Sequence, residues 1–406
     1  MTNIPGPKAS KLVHKFKKIV YDSTFTYPLV IKTGTGCVIE DVDGMEFLDF
    51  TSNIGSCPLG YSHPEILAVI KDYSSIERGV HKIAGQDFYC EEHLEIANKL
   101  LSISKKNSKV FFINSGAEAV ENAIKIAYKK KGPLPGISCN SGFHGRTLGA
   151  LSFTLSKEVQ KTNFPELPVK RIKFCTVDSD PQINHLESLL KEYKVAFILT
   201  EIIQGEGGLN VASKLFIQNI RKLANQYEVP LIFDEVQAGM GRTGKWWAYQ
   251  HYGVEPDIMA VAKAIQVGAT VYDKKYNPVE SGVLSSTWGG GSRIDMAIGT
   301  KIIDIILKNN LLSNSQKIGD MLLKNFVDFI GINGVIDARG IGLMIGVEFD
   351  TKITRDFIVK RLFKKGLLVL PAGMKSVRIM PPLIINEEEA AKGASLINET
   401  INEHIK

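Results

Sequence analysis

Hydrophobic and polar residues follow two rhythms along this chain. Short apolar runs bounded by polar residues or glycine, as at residues 109–113, 195–199 and 230–233, predict buried strands. Between such runs, apolar residues recur every three or four positions, as at 120–127, which predicts helices. This alternation begins near residue 65 and is typical of an α/β fold with a mainly parallel sheet.

The two ends of the chain have a different pattern. Residues 37–50 predict a β-hairpin with its turn near Asp43 and Gly44, and a long helix or two begins near residue 293. Further strands and a closing helix, capped by Asn386 with Glu389, follow. We therefore predict a large domain at 65–292 and a smaller α+β domain built from both termini, with its N-terminal segment at 1–64 and its C-terminal part at 293–406.

Composition excludes several classes of protein. The chain has 406 residues and a net charge of +6, with no basic cluster interleaved with aromatics, so we expect no nucleic-acid partner. No run approaches the roughly 20 apolar residues of a membrane span, and the N-terminus lacks the apolar core of a secretion signal. Five scattered cysteines without C-x-x-C spacing favour neither a metal site nor disulfides. A soluble cytoplasmic protein is expected.

Two charged residues directly follow predicted buried strands. Asp234 ends the run at 230–233, and Lys263 follows the run at 258–262. Ligands usually bind at the carboxyl edge of a parallel sheet, where a buried charge needs a partner. The two residues could form an ion pair with each other. Alternatively, they fit pyridoxal 5′-phosphate, which needs a carboxylate at its ring nitrogen and a lysine at its aldehyde.

The segment Gly239–Lys245 fits two nucleotide-binding patterns superficially. A phosphate loop requires Ser or Thr after its lysine, but Trp246 stands there. A dinucleotide fingerprint should directly follow its strand, whereas residues 235–238 intervene. A nucleotide-binding module therefore stays open only as the alternative to an enzyme.

Other candidate site residues lie in loops and turns. Ser115, Gly116 and Ala117 open a helix directly after a strand, which is typical of an anion site, although Ser115 could be a simple helix cap. Phe143 could stack on a planar ring and Arg146 could clamp a carboxylate. Both are also ordinary surface residues.

Three further positions are ambiguous in the same way. Glu206 lies among glycines that allow close approach to a ligand, yet a loop acid is commonly just solvated. Arg378 lies in a predicted strand and needs a partner there, and Ile54 is a lone large apolar residue in a loop that could line a substrate or pack in the core. The segment 285–291, rich in hydroxyls and glycine, suits phosphate donors or a flexible loop.

The order of these motifs resembles the class III, ω-amino type of pyridoxal-phosphate aminotransferase, whose fold is the aspartate-aminotransferase-like type I fold. The similarity runs from about Gly34 to the C-terminus. It rests on NSGAEAVENAIKIA from Asn114, FHGRT from Phe143, QGEGG from Gln204, DEVQAGMGRTG from Asp234, the lysine in DIMAVAKA, STWGG from Ser286 and RIMPPL from Arg378.

The resemblance implies a role for each candidate residue. Lys263, Asp234 and Glu206 would be catalytic, with Lys263 as the Schiff-base lysine and Asp234 on the pyridinium nitrogen. The cofactor would also be held by Ser115, Gly116 and Ala117 at the phosphate, Val236 and Phe143 on the two ring faces, Gln237 at the ring hydroxyl, and Thr287 from the partner subunit of a homodimer. The substrate would contact Ile54, Arg146, Glu206 and Arg378.

The substrate is less well defined by these motifs. FHGRT, Ile54 and QGEGG are similar to 4-aminobutyrate aminotransferase, so we predict transfer of a terminal amino group from such a donor to 2-oxoglutarate, giving a semialdehyde and glutamate. STWGGG and the segment 370–373 instead resemble lysine 6-aminotransferases. The alternatives are lysine 6-aminotransferase and ornithine or acetylornithine aminotransferase, and, lower, a racemase or aminomutase using the same cofactor.

Overall fold

The computed structural model describes residues 4–21, 27–85, 87–104, 107–285 and 288–403. Its strands, in chain order, are β1 Ile31–Thr35, β2 Val38–Asp41, β3 Glu46–Asp49, β4 Ser108–Ile113, β5 Gly136–Cys139, β6 Val169–Ile172, β7 Phe197–Glu201, β8 Ile203–Gln204, β9 Asn210–Val211, β10 Leu231–Asp234, β11 Ile258–Val261, β12 Gly268–Asp273, β13 Val335–Ile341, β14 Met344–Phe349, β15 Leu367–Leu368, β16 Leu370–Ala372 and β17 Ser376–Ile379. Its helices are α1 Pro7–Ile19, α2 Ser52–Gly55, α3 Pro64–Tyr73, α4 Glu91–Ser102, α5 Gly116–Lys131, α6 Leu148–Phe153, α7 His185–Glu192, α8 Lys214–Gln226, α9 Arg293–Lys308, α10 Leu311–Val327, α11 Lys352–Lys364 and α12 Glu387–Glu403.

A seven-stranded sheet in the order β4-β12-β11-β10-β7-β5-β6 forms the centre of the molecule. The strands from β11 to β6 pair in parallel, and β12 runs antiparallel to both of its neighbours. Every residue of β5, β7, β10 and β11 is buried. Burial on both faces explains why these strands are continuous apolar runs in the sequence, and it confirms the predicted α/β fold with a mainly parallel sheet.

The parallel register brings the functional candidates to one edge of this sheet. Asp234, the last residue of β10, is paired with Glu201, the last residue of β7. On its other side Asp234 is paired with Ala260 of β11, and Lys263 follows the end of β11 by two residues. The carboxyl ends of three adjacent strands therefore meet where ligands bind in such sheets.

The two chain ends share a smaller sheet. Strands β2 and β3 form the predicted hairpin, and β15 pairs in parallel with β3, so an N-terminal and a C-terminal segment lie in one sheet. A second sheet has the order β13-β14-β17-β16. The predicted cap of α12 is also present, since the amide of Glu389 donates to Asn386 Oδ1 at 2.8 Å and the amide of Asn386 donates to Glu389 Oε2 at 3.1 Å. The domain limits at residues 64 and 292 stay predictions.

The described ranges also bear on the expectations about membranes and metals. Among those residues, no helix combines the length and the apolar character that a membrane crossing needs. The same residues contain no group of three or more His, Cys, Asp or Glu side chains arranged to hold a metal ion. The five cysteines are free thiols.

Candidate active site

Lys263 lies in a strained turn directly after β11. Its φ is +53°, and the φ of Gln266 is +65°. Residues other than glycine rarely adopt such values. The amide side chain of Gln266 holds the turn, because its Nε2 donates to Ser56 O at 2.7 Å and to Lys263 O at 3.1 Å. Strain of this kind costs about 1–3 kcal/mol and persists where the surroundings enforce it, commonly at functional sites.

The environment of the Lys263 amine favours its neutral form. Burial lowers the pKa of Lys263 to about 8, and the nearby positive charge of Arg378 acts in the same direction. The carboxylates Glu206, Asp234 and Glu201 oppose the shift without cancelling it. A neutral amine can attack a carbonyl carbon and accept a proton, which a charged lysine cannot do.

Asp234 is held by a histidine that the sequence motifs did not single out. His144 Nδ1 lies 2.9 Å from Asp234 Oδ2, and the amide of Val236 donates to Asp234 Oδ1 at 3.0 Å. Because a carboxylate only accepts, Nδ1 of His144 carries the hydrogen in this pair. His144 belongs to the FHGRT motif, between the predicted site residues Phe143 and Arg146, so its position in that motif indicates that it lies at the site. The histidine fixes the orientation of the carboxylate.

Glu201 is a second carboxylate beside Asp234. Its Oε2 accepts from the amide of Phe143 at 2.9 Å and its Oε1 from the amide of Gly205 at 3.0 Å. Burial, with the negative charge of Asp234 adding to it, raises the pKa of Glu201 well above its usual range. Two adjacent buried carboxylates avoid mutual repulsion when only one is ionised. Glu201 therefore anchors two loops of the site.

The N-terminus of α5 forms a cradle for an anion. Ser115 is the helix cap, since its Oγ accepts from the amide of Glu118 at 3.3 Å. The amides of Gly116 and Ala117 are in the first turn, where no residue of the helix can accept from them. A Cβ on Gly116 would lie 2.7 Å from Cγ1 of Val236. The backbone at residue 116 therefore lies closer to Val236 than a residue with a side chain would allow. These features fit a phosphate group.

A cavity of about 540 Å³ joins these elements. Its lining includes Ser115, Gly116, Ala117, Phe143, Arg146, Glu206, Asp234, Val236, Gln237 and Lys263 from the sequence prediction, together with His144 and Glu201. Phe143 and Val236 both present apolar surface to it, as a planar ring would require. The donor set thus suits pyridoxal phosphate, because an anion cradle, a carboxylate, an amine and apolar side chains surround one cavity.

An ion pair closes one side of the site. Arg378 Nη1 donates to Glu206 Oε1 at 2.5 Å and to Gln237 Oε1 at 3.3 Å. The side chain of Arg378 is only 4% exposed. Burial raises the pKa of Glu206, but the charge and hydrogen bond of Arg378 outweigh it, so that the net shift is downward. The pair is therefore charged on both sides.

Three predicted site residues remain to be described. Arg146 is exposed at the cavity, 6.0 Å from the centre of the Phe143 ring, and has no ion-pair partner within the described chain. Ile54 is 40% exposed, because the turn Ser52–Gly55 is left-handed, and Ser56 rather than Ile54 lines the cavity. Thr287 lies outside the described residues.

The segment Gly239–Lys245 has a structural explanation in place of nucleotide binding. Arg242 donates to Leu343 O at 3.3 Å, to Pro381 O, and to Ser52 Oγ at 3.2 Å, which ties the loop to the rest of the fold. A Cβ on Gly239 would lie 2.7 Å from the ring of Trp247. Glycine is required there by packing, and Lys245 is used in a hydrogen bond to Gln250 O at 3.0 Å.

Comparison with known proteins identifies the family. The model of the family Aminotransferase class-III matches residues 20–401. The chain is 35% identical over 374 residues to an acetylornithine aminotransferase of Bacillus cereus, which covers 91% of this chain and 93% of the relative. It is 38% identical over 379 residues to the acetylornithine aminotransferase of Prochlorococcus marinus, with 89% and 88% covered.

Solved structures agree with this assignment. A lysine aminotransferase from M. tuberculosis in the internal aldimine form superposes with a TM-score of 0.90 at 26% identity, covering 97% of this chain and 99% of that one. An ornithine aminotransferase from Toxoplasma gondii gives a TM-score of 0.88 at 25% identity, with 97% and 95% covered. The chain belongs to the class III aminotransferases, enzymes of fold type I that depend on pyridoxal phosphate.

Proposed function

We propose that this enzyme transfers the terminal amino group of acetylornithine to 2-oxoglutarate, giving a semialdehyde and glutamate. The names of the relatives favour this substrate over the 4-aminobutyrate that local motifs suggested, since the relatives described above are acetylornithine aminotransferases. The structure is compatible with it. Acetylornithine carries a carboxylate far from its reacting amine, and the exposed Arg146 at the cavity can bind a carboxylate with two parallel hydrogen bonds.

The observation that carries the proposal is the buried pair of Arg378 and Glu206, of which Glu206 lines the cavity. The reacting carbon of an ω-amine has a hydrogen where that of glutamate has a carboxylate. An ω-amine therefore offers no partner for Arg378, and an unpaired buried arginine is costly. Glu206 supplies the missing negative charge. When 2-oxoglutarate brings a carboxylate to the same place, Glu206 moves away and Arg378 binds the substrate instead.

The protein side of the chemistry follows from the site. When bound, pyridoxal phosphate supplies an aldehyde for amines and a ring that stabilises negative charge on the reacting carbon. The amides of Gly116 and Ala117 would hold its phosphate, and Asp234, oriented by His144, would hold a proton at its ring nitrogen. Lys263, partly neutral near pH 8, would remove the proton from the reacting carbon of the substrate and return it on the cofactor side.

Half-reaction kinetics test the proposed donor. Purified holoenzyme would be mixed in single-turnover experiments with acetylornithine, ornithine, lysine or 4-aminobutyrate, and the change in cofactor absorbance followed. We expect acetylornithine to react with the highest ratio of rate constant to dissociation constant. Glutamate formed from 2-oxoglutarate would separate transfer from racemisation. A higher ratio for 4-aminobutyrate would restore the donor suggested by the motifs.

Replacing Glu206 with serine is expected to separate the two half-reactions. The variant leaves Arg378 unpaired when an ω-amine binds, so the Michaelis constant for that amine should rise about tenfold or more, as loss of a charged hydrogen bond implies. The half-reaction with glutamate should be spared. Glu206→Gln, which keeps a hydrogen-bond acceptor without the charge, is the matched control. Equal losses in both halves would show that Glu206 is structural.

The low pKa of Lys263 predicts a pH dependence for cofactor uptake. Below about pH 8 the amine is mostly protonated, and above it mostly neutral. The rate at which apoenzyme combines with pyridoxal phosphate should therefore rise as the pH increases through about 8, rather than near the usual lysine value of about 10.4. Stopped-flow absorbance on apoenzyme measures this rate. A rate that keeps rising to pH 10 would contradict the lowered pKa.

We also propose an obligate homodimer, with Thr287 reaching the partner's cofactor. A groove containing the apolar residues Tyr89, Leu94 and Phe111 adjoins Gly290, close in sequence to Thr287, and an apolar groove at that place suits a subunit contact. Sedimentation at the working concentration should show a dimer, and an active monomer would refute the proposal. The cytoplasmic location stays a prediction.

A further inference from the structure

A second cavity, of about 370 Å³, lies outside the cofactor site, between α11 and the turn that contains Gly373. Four basic side chains and a single carboxylate line it, which leaves an excess of positive charge. They are Lys157, Lys352, Arg355, Lys360 and Asp356. The remaining lining is formed by Val359 and by the backbone turn at Pro371, Gly373 and Met374.

Arg355 is the unusual member of this group. It is only 4% exposed, and its Nε donates to Asp356 Oδ1 at 2.7 Å. Its two terminal nitrogens make no hydrogen bond to any residue that the structure describes, yet they are not sealed from the cavity. A buried guanidinium usually satisfies all of its donors, because leaving them without partners is costly. The free donors of Arg355 therefore face a place for an external acceptor.

The other cations add to this potential. Lys352 Nζ contacts Asp356 Oδ2 at 2.6 Å, so the one carboxylate of the cavity is already shared between Lys352 and Arg355. Lys157 and Lys360 form no ion pair within the described part of the chain. Two lysines and the fork of an arginine around one cavity are a suitable arrangement for an anion with several negatively charged oxygens.

We propose that this cavity is an anion-binding site for a small ligand bearing a phosphate or two carboxylates. The planar fork of Arg355 binds two oxygens, and Lys157 and Lys360 neutralise the remaining charge. The site borders the catalytic loop, because the amide of Gly373 donates to the carbonyl oxygen of Glu206 at 2.8 Å. It is separate from the α5 cradle, whose residues do not line it.

Calorimetric titration of the holoenzyme tests the site, with the cofactor already filling the α5 cradle. The probes are inorganic phosphate and glutarate. We expect saturable binding of at least one probe, weakened about tenfold or more in Arg355→Gln and in the double variant Lys157→Ala/Lys360→Ala, since each removes charged hydrogen-bond donors. Lys364→Ala, on the same helix but outside this cavity, is the matched control and should bind as the unmodified enzyme does.

The outcomes are distinguishable. Binding of phosphate alone assigns the site to phosphate-bearing ligands, and binding of glutarate alone assigns it to dicarboxylates. Affinities that are equal in the unmodified enzyme and in both cavity variants would place the anion elsewhere and overturn the proposal, as would the absence of saturable binding for both probes. The lysine variant keeps the test valid if Arg355→Gln fails to fold, because Lys360 is exposed and Lys157 only partly buried.

Discussion

Replacing Lys263 with alanine is expected to reduce amine transfer by about a thousandfold or more, equivalent to about 4 kcal/mol of activation free energy. Lys263 supplies the amine at the carboxyl edge of the sheet, and burial beside Arg378 keeps that amine partly neutral near pH 8. Alanine removes both the nucleophile and the proton carrier. Steady-state assays with acetylornithine and 2-oxoglutarate, on protein loaded with cofactor, measure the loss.

A lysine-to-arginine exchange separates chemistry from charge at this position. Lys263→Arg keeps a positive charge close to Glu206 and Asp234, but a guanidinium stays protonated at neutral pH and cannot act as nucleophile or base. We expect this variant to be as inactive as the alanine variant. Substantial activity in the arginine variant would mean that Lys263 contributes charge alone. Far-UV circular dichroism checks that both variants fold.

The meeting of Asp234 and Lys263 at one edge of the sheet could be predicted from the sequence because its signals are local. Asp234 and Lys263 directly follow buried apolar runs, and parallel strands place such ends together. Arg378 and Glu206, both predicted to contact the substrate, form an ion pair with each other in the structure. In each case a charge in an apolar or glycine-rich context indicates that a partner must lie nearby.

Other features depend on contacts between distant segments and could not be predicted in the same way. His144 reaches Asp234 across 90 positions of sequence, and although it lies between two predicted site residues, nothing in the sequence indicates which residue it contacts. Gly239 fits a nucleotide-binding pattern in the sequence, but glycine is needed at this position because the ring of Trp247 packs against it. Ile54 is exposed because it lies in a left-handed turn. Glycine usually indicates such a turn in a sequence, but of the four residues in this turn only Gly55 is a glycine.

The amino donor was predicted least well from the sequence, for an energetic reason. Lysine and ornithine differ by one methylene group, and an enzyme distinguishes substrates that differ by so little by only about 1–3 kcal/mol. A few side chains around a shared cavity can supply such a difference, whereas the roles proposed for Phe143 of FHGRT and Glu206 of QGEGG do not depend on the length of the donor. The motifs therefore define the reaction class more firmly than the donor. The names of the relatives add information that those motifs do not contain.

Asp234→Asn is the second change expected to have a large effect, and its neighbour Glu201 provides the control. The amide has nearly the shape of the carboxylate and should fold normally, but a neutral group no longer favours a proton on the cofactor's ring nitrogen. We expect a loss of about a hundredfold or more, about 2.7 kcal/mol. A loss below about tenfold would contradict the role given to Asp234.

Glu201→Gln tests whether charge or position determines that effect. Glu201 is paired with Asp234 across β7 and β10, and burial together with the charge of Asp234 raises its pKa well above its usual range. If Glu201 is already uncharged, replacing it with an amide removes no charge and should cost less than about tenfold in rate. Steady-state kinetics on both variants decide the matter. Similar losses of rate at the two positions would mean that Glu201 is ionised and that the two carboxylates act as one charged unit. A large loss at Asp234 alone would assign the electrostatic role to Asp234 and a loop-anchoring role to Glu201.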